Sequence, residues 1–153
     1  MANKVTRSQL KEWGFGALVD GAPKNPRTKA VDADGMNRTE RAYANHLATL
    51  KLCGEIRDWK FEPFKFRLAG RTFLTIDFVV WHLDGSVECH DIKGHLEDDA
   101  AVKIKTVAEQ QPWFRFWLVY REGGRWTYHP VTRQGIGKQT EWSCAREDSC
   151  GND

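Results

Sequence analysis

This sequence has few cysteines and no long hydrophobic run. Its four cysteines, Cys53, Cys89, Cys144 and Cys150, form no Cys-x-x-Cys pair, and two of them fall in a polar tail. That spacing argues against a secreted disulfide framework and against the common zinc fingers, and it reads as ordinary reduced thiols. No apolar stretch approaches the ~20 residues that a membrane helix needs. A basic-then-apolar leader is also missing, because Lys4, Arg7, Lys11 and Glu12 leave no hydrophobic stretch between them, so a cytoplasmic protein is expected. There is no internal repeat, no low-complexity segment and no strong excess of one charge. The net charge of +2 excludes a blanket polycation.

What is present is the composition of a globular domain, 41% hydrophobic and 29% charged over 153 residues, enough for one core without staples. Charge is uneven along it. Residues 1–30 carry six lysines and arginines against two acidic residues, whereas residues 134–153 carry two against four. The chain therefore divides into a basic N-terminal arm (1–35), a folded domain (36–133) and a polar C-terminal tail (134–153). The arm can add phosphate contacts or simply be solvated.

Within the arm, Ser8 can cap a short helix bearing Leu10, Trp13 and Leu18, followed by a Pro- and Gly-punctuated loop to Gly35. Asn37-Arg38-Thr39-Glu40 has the form of a capping box. It opens a helix over Arg41–Leu52, with Tyr43, Ala44, Leu47 and Leu50 at helical spacing and Gly54 as the stop signal. Period-two patterning follows from Ile56 to Leu68, broken at Pro63, with a turn at Ala69-Gly70. The run Thr72–Trp81 is apolar on both alternating sets and predicts one central strand covered on both faces. Ser86–Lys93 predicts its partner, and Leu96–Gln111 a helix ending before Pro112. Phe114–Tyr120 and Arg125–Val131 predict two further strands around a turn at Arg121–Gly124. Trp142 is the one anchor expected in the tail. The order predicts a mixed α/β domain with a central sheet flanked by helices.

Charged residues inside the apolar hairpin 74–94 need an explanation, since burying them is costly. Parity decides their arrangement. A two-residue loop Asp84-Gly85 would put Asp77 and Asp91 on opposite faces. A three-residue loop, Leu83-Asp84-Gly85, pairs them directly and gives Gly85 the left-handed position such loops favour. The three-residue loop is predicted, with Asp77, Asp91 and Lys93 on one face. Two converging carboxylates suit a hard cation such as Mg²⁺, and a lysine beside them can hold or deprotonate the attacking water, or offset transition-state charge. A bare Asp-x-Lys triplet means little. An Asp on a central strand, a hairpin, Asp-x-Lys on its partner and a helical Glu upstream form a much narrower pattern.

That pattern resembles the PD-(D/E)xK nuclease superfamily. More closely, Asp34-Gly35, Asn37-Arg38-Thr39-Glu40, Gly54-Glu55-Ile56, Asp77-Phe78 and Asp91-Ile92-Lys93-Gly94 resemble a family of small phage proteins catalogued as a domain of unknown function and assigned to that superfamily. The resemblance runs from about residue 29 to 131, most of the chain. It departs in Ile76, where the motif has proline, and in Asp91, where the motif also allows Glu. It implies a restriction-endonuclease-like core and a Mg²⁺-dependent endonuclease acting on DNA in the host cytoplasm, with Mn²⁺ as a substitute ion. It also implies metal ligation by Asp77, Asp91 and Ile92, a catalytic Lys93, and Glu40 as a further metal or water-orienting carboxylate. Phage endonucleases that resolve Holliday junctions share the superfamily and the size. They make branched DNA the model substrate and a homodimer the model assembly.

Other residues compete for attention. Cys89, His90 and His95 invite a zinc reading, but His90 alternates away from Asp91 and the spacing matches no common site. Glu88 shares the parity of His90, which places it on the surface or on the second face. Glu62 can reach the site as a supporting group, Lys103 and Lys105 can touch phosphate, and Trp113 can serve a partner surface. Two alternatives to cleavage stand beside it. One is a nuclease-fold protein that grips DNA or a host protein without cutting, and the other an interaction protein in which Asp77 and Lys93 merely form a salt bridge.

Overall fold

The computed structural model describes residues 30–94 and 98–142. The helix expected around Ser8, most of the basic arm, His95, Cys144 and Cys150 lie outside the described residues.

The first helix, α1 (Arg38–Leu52), starts where the capping box predicts. The Asn37 side chain accepts the main-chain N–H groups of Thr39 and Glu40 at 2.9 and 3.0 Å. The Glu40 carboxylate answers by accepting the Asn37 N–H at 2.8 Å and its side-chain amide. At the other end Gly54 takes a φ of +76°, and its N–H donates to Lys51 while that of Glu55 donates to Leu50. These bonds satisfy carbonyls the helix would otherwise leave open.

Eight strands follow: β1 (Asp58–Phe61), β2 (Lys65–Ala69), β3 (Thr72–Thr75), β4 (Phe78–Trp81), β5 (Val87–Lys93), β6 (Arg115–Glu122), β7 (Arg125–Thr132) and β8 (Gly135–Ile136), with α2 (Asp98–Gln110) between β5 and β6. Six of them form one sheet in the order β1-β4-β5-β6-β7-β8. Only β5 and β6 run parallel, joined by the α2 crossover, and the other neighbours are antiparallel. The result is a mixed α/β domain compatible with a restriction-endonuclease-like core.

Alternation along the strands builds two cores. Phe78, Val80 and Ile92 face α1 and pack with Tyr43, Ala44 and Leu47. Val79, Cys89, Phe116 and Leu118 face α2 and pack with Ile104 and Val107. Asp91 and Lys93 share the parity of Cys89, so they lie on the α2 side, whereas Glu40 belongs to the helix over the other face.

The single strand expected over Thr72–Trp81 is two strands in two different sheets. β3 pairs only with β2 in a separate two-stranded ribbon, and β4 joins the main sheet. The break falls at Ile76-Asp77 and is matched across the hairpin at Glu62–Phe64. Pairing runs Phe61 with Phe78 before the break and Lys65 with Thr75 after it, so one extra residue is absorbed there. Glu62 adopts a φ of +45° and donates its N–H to the Asp77 carbonyl at 2.8 Å. The physical reason is the carboxylate, which in a continuous buried strand would lack donors. Bending the strand lets it reach a main-chain N–H instead.

Candidate metal centre

The turn between β4 and β5 has the three-residue form that parity demands. His82 and Ser86 close it, with the His82 N–H donating to Ser86 at 2.9 Å and the Gly85 N–H to His82 at 3.1 Å. Gly85 has a φ of +85°, and Asp84 steadies the loop by accepting the Ser86 N–H and hydroxyl at 2.8 and 2.6 Å. The ladder it sets pairs Phe78 with His90. One step further, the same register brings Asp77 opposite Asp91.

Side chains confirm the juxtaposition. Asp77 Oδ2 accepts the main-chain N–H of Ile92 at 2.7 Å. Lys93 Nζ stands 2.9 Å from Asp91 Oδ2. Asp91 is only 2% exposed, so this ion pair is largely shut off from solvent. Burial and then the charge of Asp91 push the Asp77 carboxyl far above the carboxylate range, to about 8, against the pull of the Ile92 N–H and Lys93. Burial alone would lower Lys93, but Asp91 and then Asp77 outweigh it and hold the ammonium above its ordinary value. Tyr120 pairs in register with Lys93 on β6 and stands beside it on the same face. Burial raises the Tyr120 phenol and Lys93 opposes that rise. Sequence reasoning missed Tyr120, because its neighbour is set by a parallel register that no local pattern encodes.

A divalent cation fits this donor set. A buried carboxylate, Asp91, and a half-buried one, Asp77, face each other across the ladder, and their mutual repulsion is what a hard divalent cation between them would relieve. Among the described residues, no group of three or more His, Cys, Asp or Glu side chains gathers as a fuller cage. Glu40 is not joined to the pair. Both its oxygens are occupied at the helix cap, and no contact among the described residues links it to Asp77 or Asp91. Ile92 contributes its N–H to Asp77, while its side chain lies in the core on the α1 side. Glu62 touches the site through its main chain, with its side chain exposed. Lys103 is paired with Asp99 at 2.6 Å, Lys105 is exposed, and Trp113 is 71% exposed.

Glu88 proves to be a second-face residue, and a buried one. Its Oε2 accepts Trp142 Nε1–H at 2.7 Å and His90 Nε2–H at 3.1 Å, and His82 Nε2 lies 3.1 Å away. The Tyr43 hydroxyl meets His90 Nδ1 at 2.6 Å. Burial pushes the His90 imidazole below its ordinary value, and Glu88 opposes that shift. Burial opposes ionisation of Glu88, yet His82, His90 and Trp142 hold its carboxyl far below the usual range. Trp142 also stacks on Tyr128, ring centres 5.1 Å apart, so the anchor expected in the tail is in place.

No family model matches the sequence, and no curated protein matches it. No described helix is long and apolar enough to cross a membrane.

Proposed function

We propose that this protein is a Mg²⁺-dependent endonuclease that hydrolyses phosphodiester bonds in DNA, with Asp77, Asp91 and Lys93 as its working residues. The observation that carries the reading is the pairing of a buried carboxylate, Asp91, with a half-buried one, Asp77, across the β4–β5 ladder, with an ammonium 2.9 Å from Asp91. Asp77 and Asp91 would hold the cation, which supplies Lewis-acid polarisation of a phosphate oxygen and a water made nucleophilic at neutral pH.

The chain's own contribution is position and charge. The Ile92 N–H fixes the Asp77 carboxylate so that it meets its partner without reorganisation. Lys93 is held protonated, so it acts as a cation and not as a base. Its side chain is 24% exposed, enough for Nζ to reach a phosphate oxygen or orient a water while its stem stays packed. It would offset charge gathering on the phosphorane and can give a proton to the leaving oxygen. Four-way junctions are the first substrate to try, following the resemblance to phage resolving enzymes, and a homodimer would cut two strands symmetrically. If the protein is phage-encoded, as that resemblance implies, it would work in the cytoplasm of a host cell.

A second reading, binding without cleavage, draws on the separation of Glu40 from the pair. One assay separates the two: plasmid and four-way junction DNA incubated with Mg²⁺ or with EDTA. Mg²⁺-dependent cutting that Lys93→Ala abolishes is expected. Equal behaviour of wild type and Lys93→Ala, with no cutting of either DNA, would sink the enzyme.

A further inference from the structure

The β2–β3 ribbon serves no purpose in the main sheet, and its two faces differ. The inner face, Phe64, Phe66, Leu68 and Leu74, packs on the core beneath α2, and Gln110 pins it by donating to the Leu68 carbonyl at 3.1 Å. The outer face is defined by the register, which sets Lys65 opposite Thr75 and Arg67 opposite Phe73. Arg71 follows at the turn. All three cations are exposed, and none pairs with a carboxylate among the described residues. From Pro63 to Thr75 there is no acidic residue. Phe73 is 44% exposed on the same face, with Lys65 Nζ 5.0 Å above its ring.

An exposed phenylalanine within an unneutralised basic strip is what a polyanion with apolar sugar or base surfaces would meet. Position strengthens the point. Only Ile76 separates the end of β3 from Asp77, so the strip begins at the metal centre. From Lys65 to Ala69 the ribbon extends about 13 Å, the rise of roughly four nucleotides on one strand.

We propose that the outer face of the β2–β3 ribbon is the surface that grips duplex DNA beside the metal centre. Lys65, Arg67 and Arg71 lie on backbone phosphates, and Phe73 rests on sugar edges in the groove. The inference rests on the nuclease reading for its choice of DNA, but it concerns binding and is tested without cutting.

The experiment measures fluorescence anisotropy of a short labelled DNA duplex in EDTA, over a range of salt, with the full chain. The triple variant Lys65→Gln/Arg67→Gln/Arg71→Gln is expected to bind at least about tenfold more weakly, with a log-log salt slope shallower by roughly two to three. A control triple, Arg38→Gln/Arg133→Gln/Lys138→Gln, removes the same charge from other exposed positions and is expected to change binding by less than about threefold. Phe73→Ser should weaken binding and leave the salt slope alone. Thermal unfolding of each variant checks that the fold is kept. Equal losses in the two triples, no measurable binding by wild type, or ribbon-dependent binding of duplex RNA tighter than of DNA would each overturn the proposal. Cutting by wild type with an unchanged ribbon triple would sink this inference and leave the nuclease standing. Ribbon-dependent binding with no cutting under Mg²⁺ would do the reverse.

Discussion

At the scale of single residues, the Asp77–Asp91 pair carries a pH signature that can be read without any substrate. In the unfolded chain Asp77 titrates near its ordinary 3.8, whereas in the fold burial and Asp91 raise it to about 8. Between those values the unfolded state loses its proton first, so the pair's contribution is fully present below about 4 and is lost as pH rises toward 8. In EDTA, Asp77→Asn should therefore be more stable than wild type above neutrality, with the difference vanishing in acid. Urea midpoints across pH check this, and a difference independent of pH would refute the assigned cause. The same variant should lose cutting, as should Lys93→Ala, each by about 10²–10³-fold or more. Glu88 has the opposite sign. Its depressed carboxyl adds stability above the ordinary Glu range that is lost on acidification. Removing it as Glu88→Ala strands His90 and Trp142 and should cost on the order of 3 kcal/mol, measured by chemical denaturation.

At the scale of elements, local chemistry was the legible part. The capping box at Asn37–Glu40, the stop at Gly54 and the loop at Leu83–Gly85 are each written in neighbouring residues and each recur in the fold. Gly85→Ala at its φ of +85° should cost about 1–2 kcal/mol, and denaturation will measure it. Glu40→Ala removes one arm of the capping box and should cost about 0.5–1 kcal/mol while the folded fraction keeps its cutting rate. A hundredfold loss of rate would instead return Glu40 to the metal. What the sequence did not disclose depends on long-range pairing. Thr72–Trp81 has the alternation of one strand, and nothing local says that Asp77 will leave the ladder to take the Ile92 N–H. The parity that set Asp91 apart from His90 was legible. That Glu88 is buried was not, because its cover comes from Trp142, far along the chain.

At the scale of the whole molecule, one sheet separates two sets of polar groups. On the α2 side stand Asp77, Asp91 and Lys93, with the lysine partly exposed at the end of β5. On the α1 side the Glu88 cluster is closed under Trp142. Trp142→Ala should lower the melting temperature by several degrees, as a loss of about 2–3 kcal/mol implies for a domain of this size, without changing DNA affinity. The bend between ribbon and sheet has a mechanical meaning as well. β1–β2 and β3–β4 form one long hairpin creased at Glu62 and Asp77, so the distal half is a lever and the crease its fulcrum. Duplex held on the lever would load both strands of the crease, at Glu62–Phe64 and at Ile76-Asp77, together with the ribbon's packing beneath α2. The Asp77 carboxylate stands at that crease. A glycine inserted between Thr75 and Ile76 would loosen one of those two strands and so weaken the coupling of grip to cut.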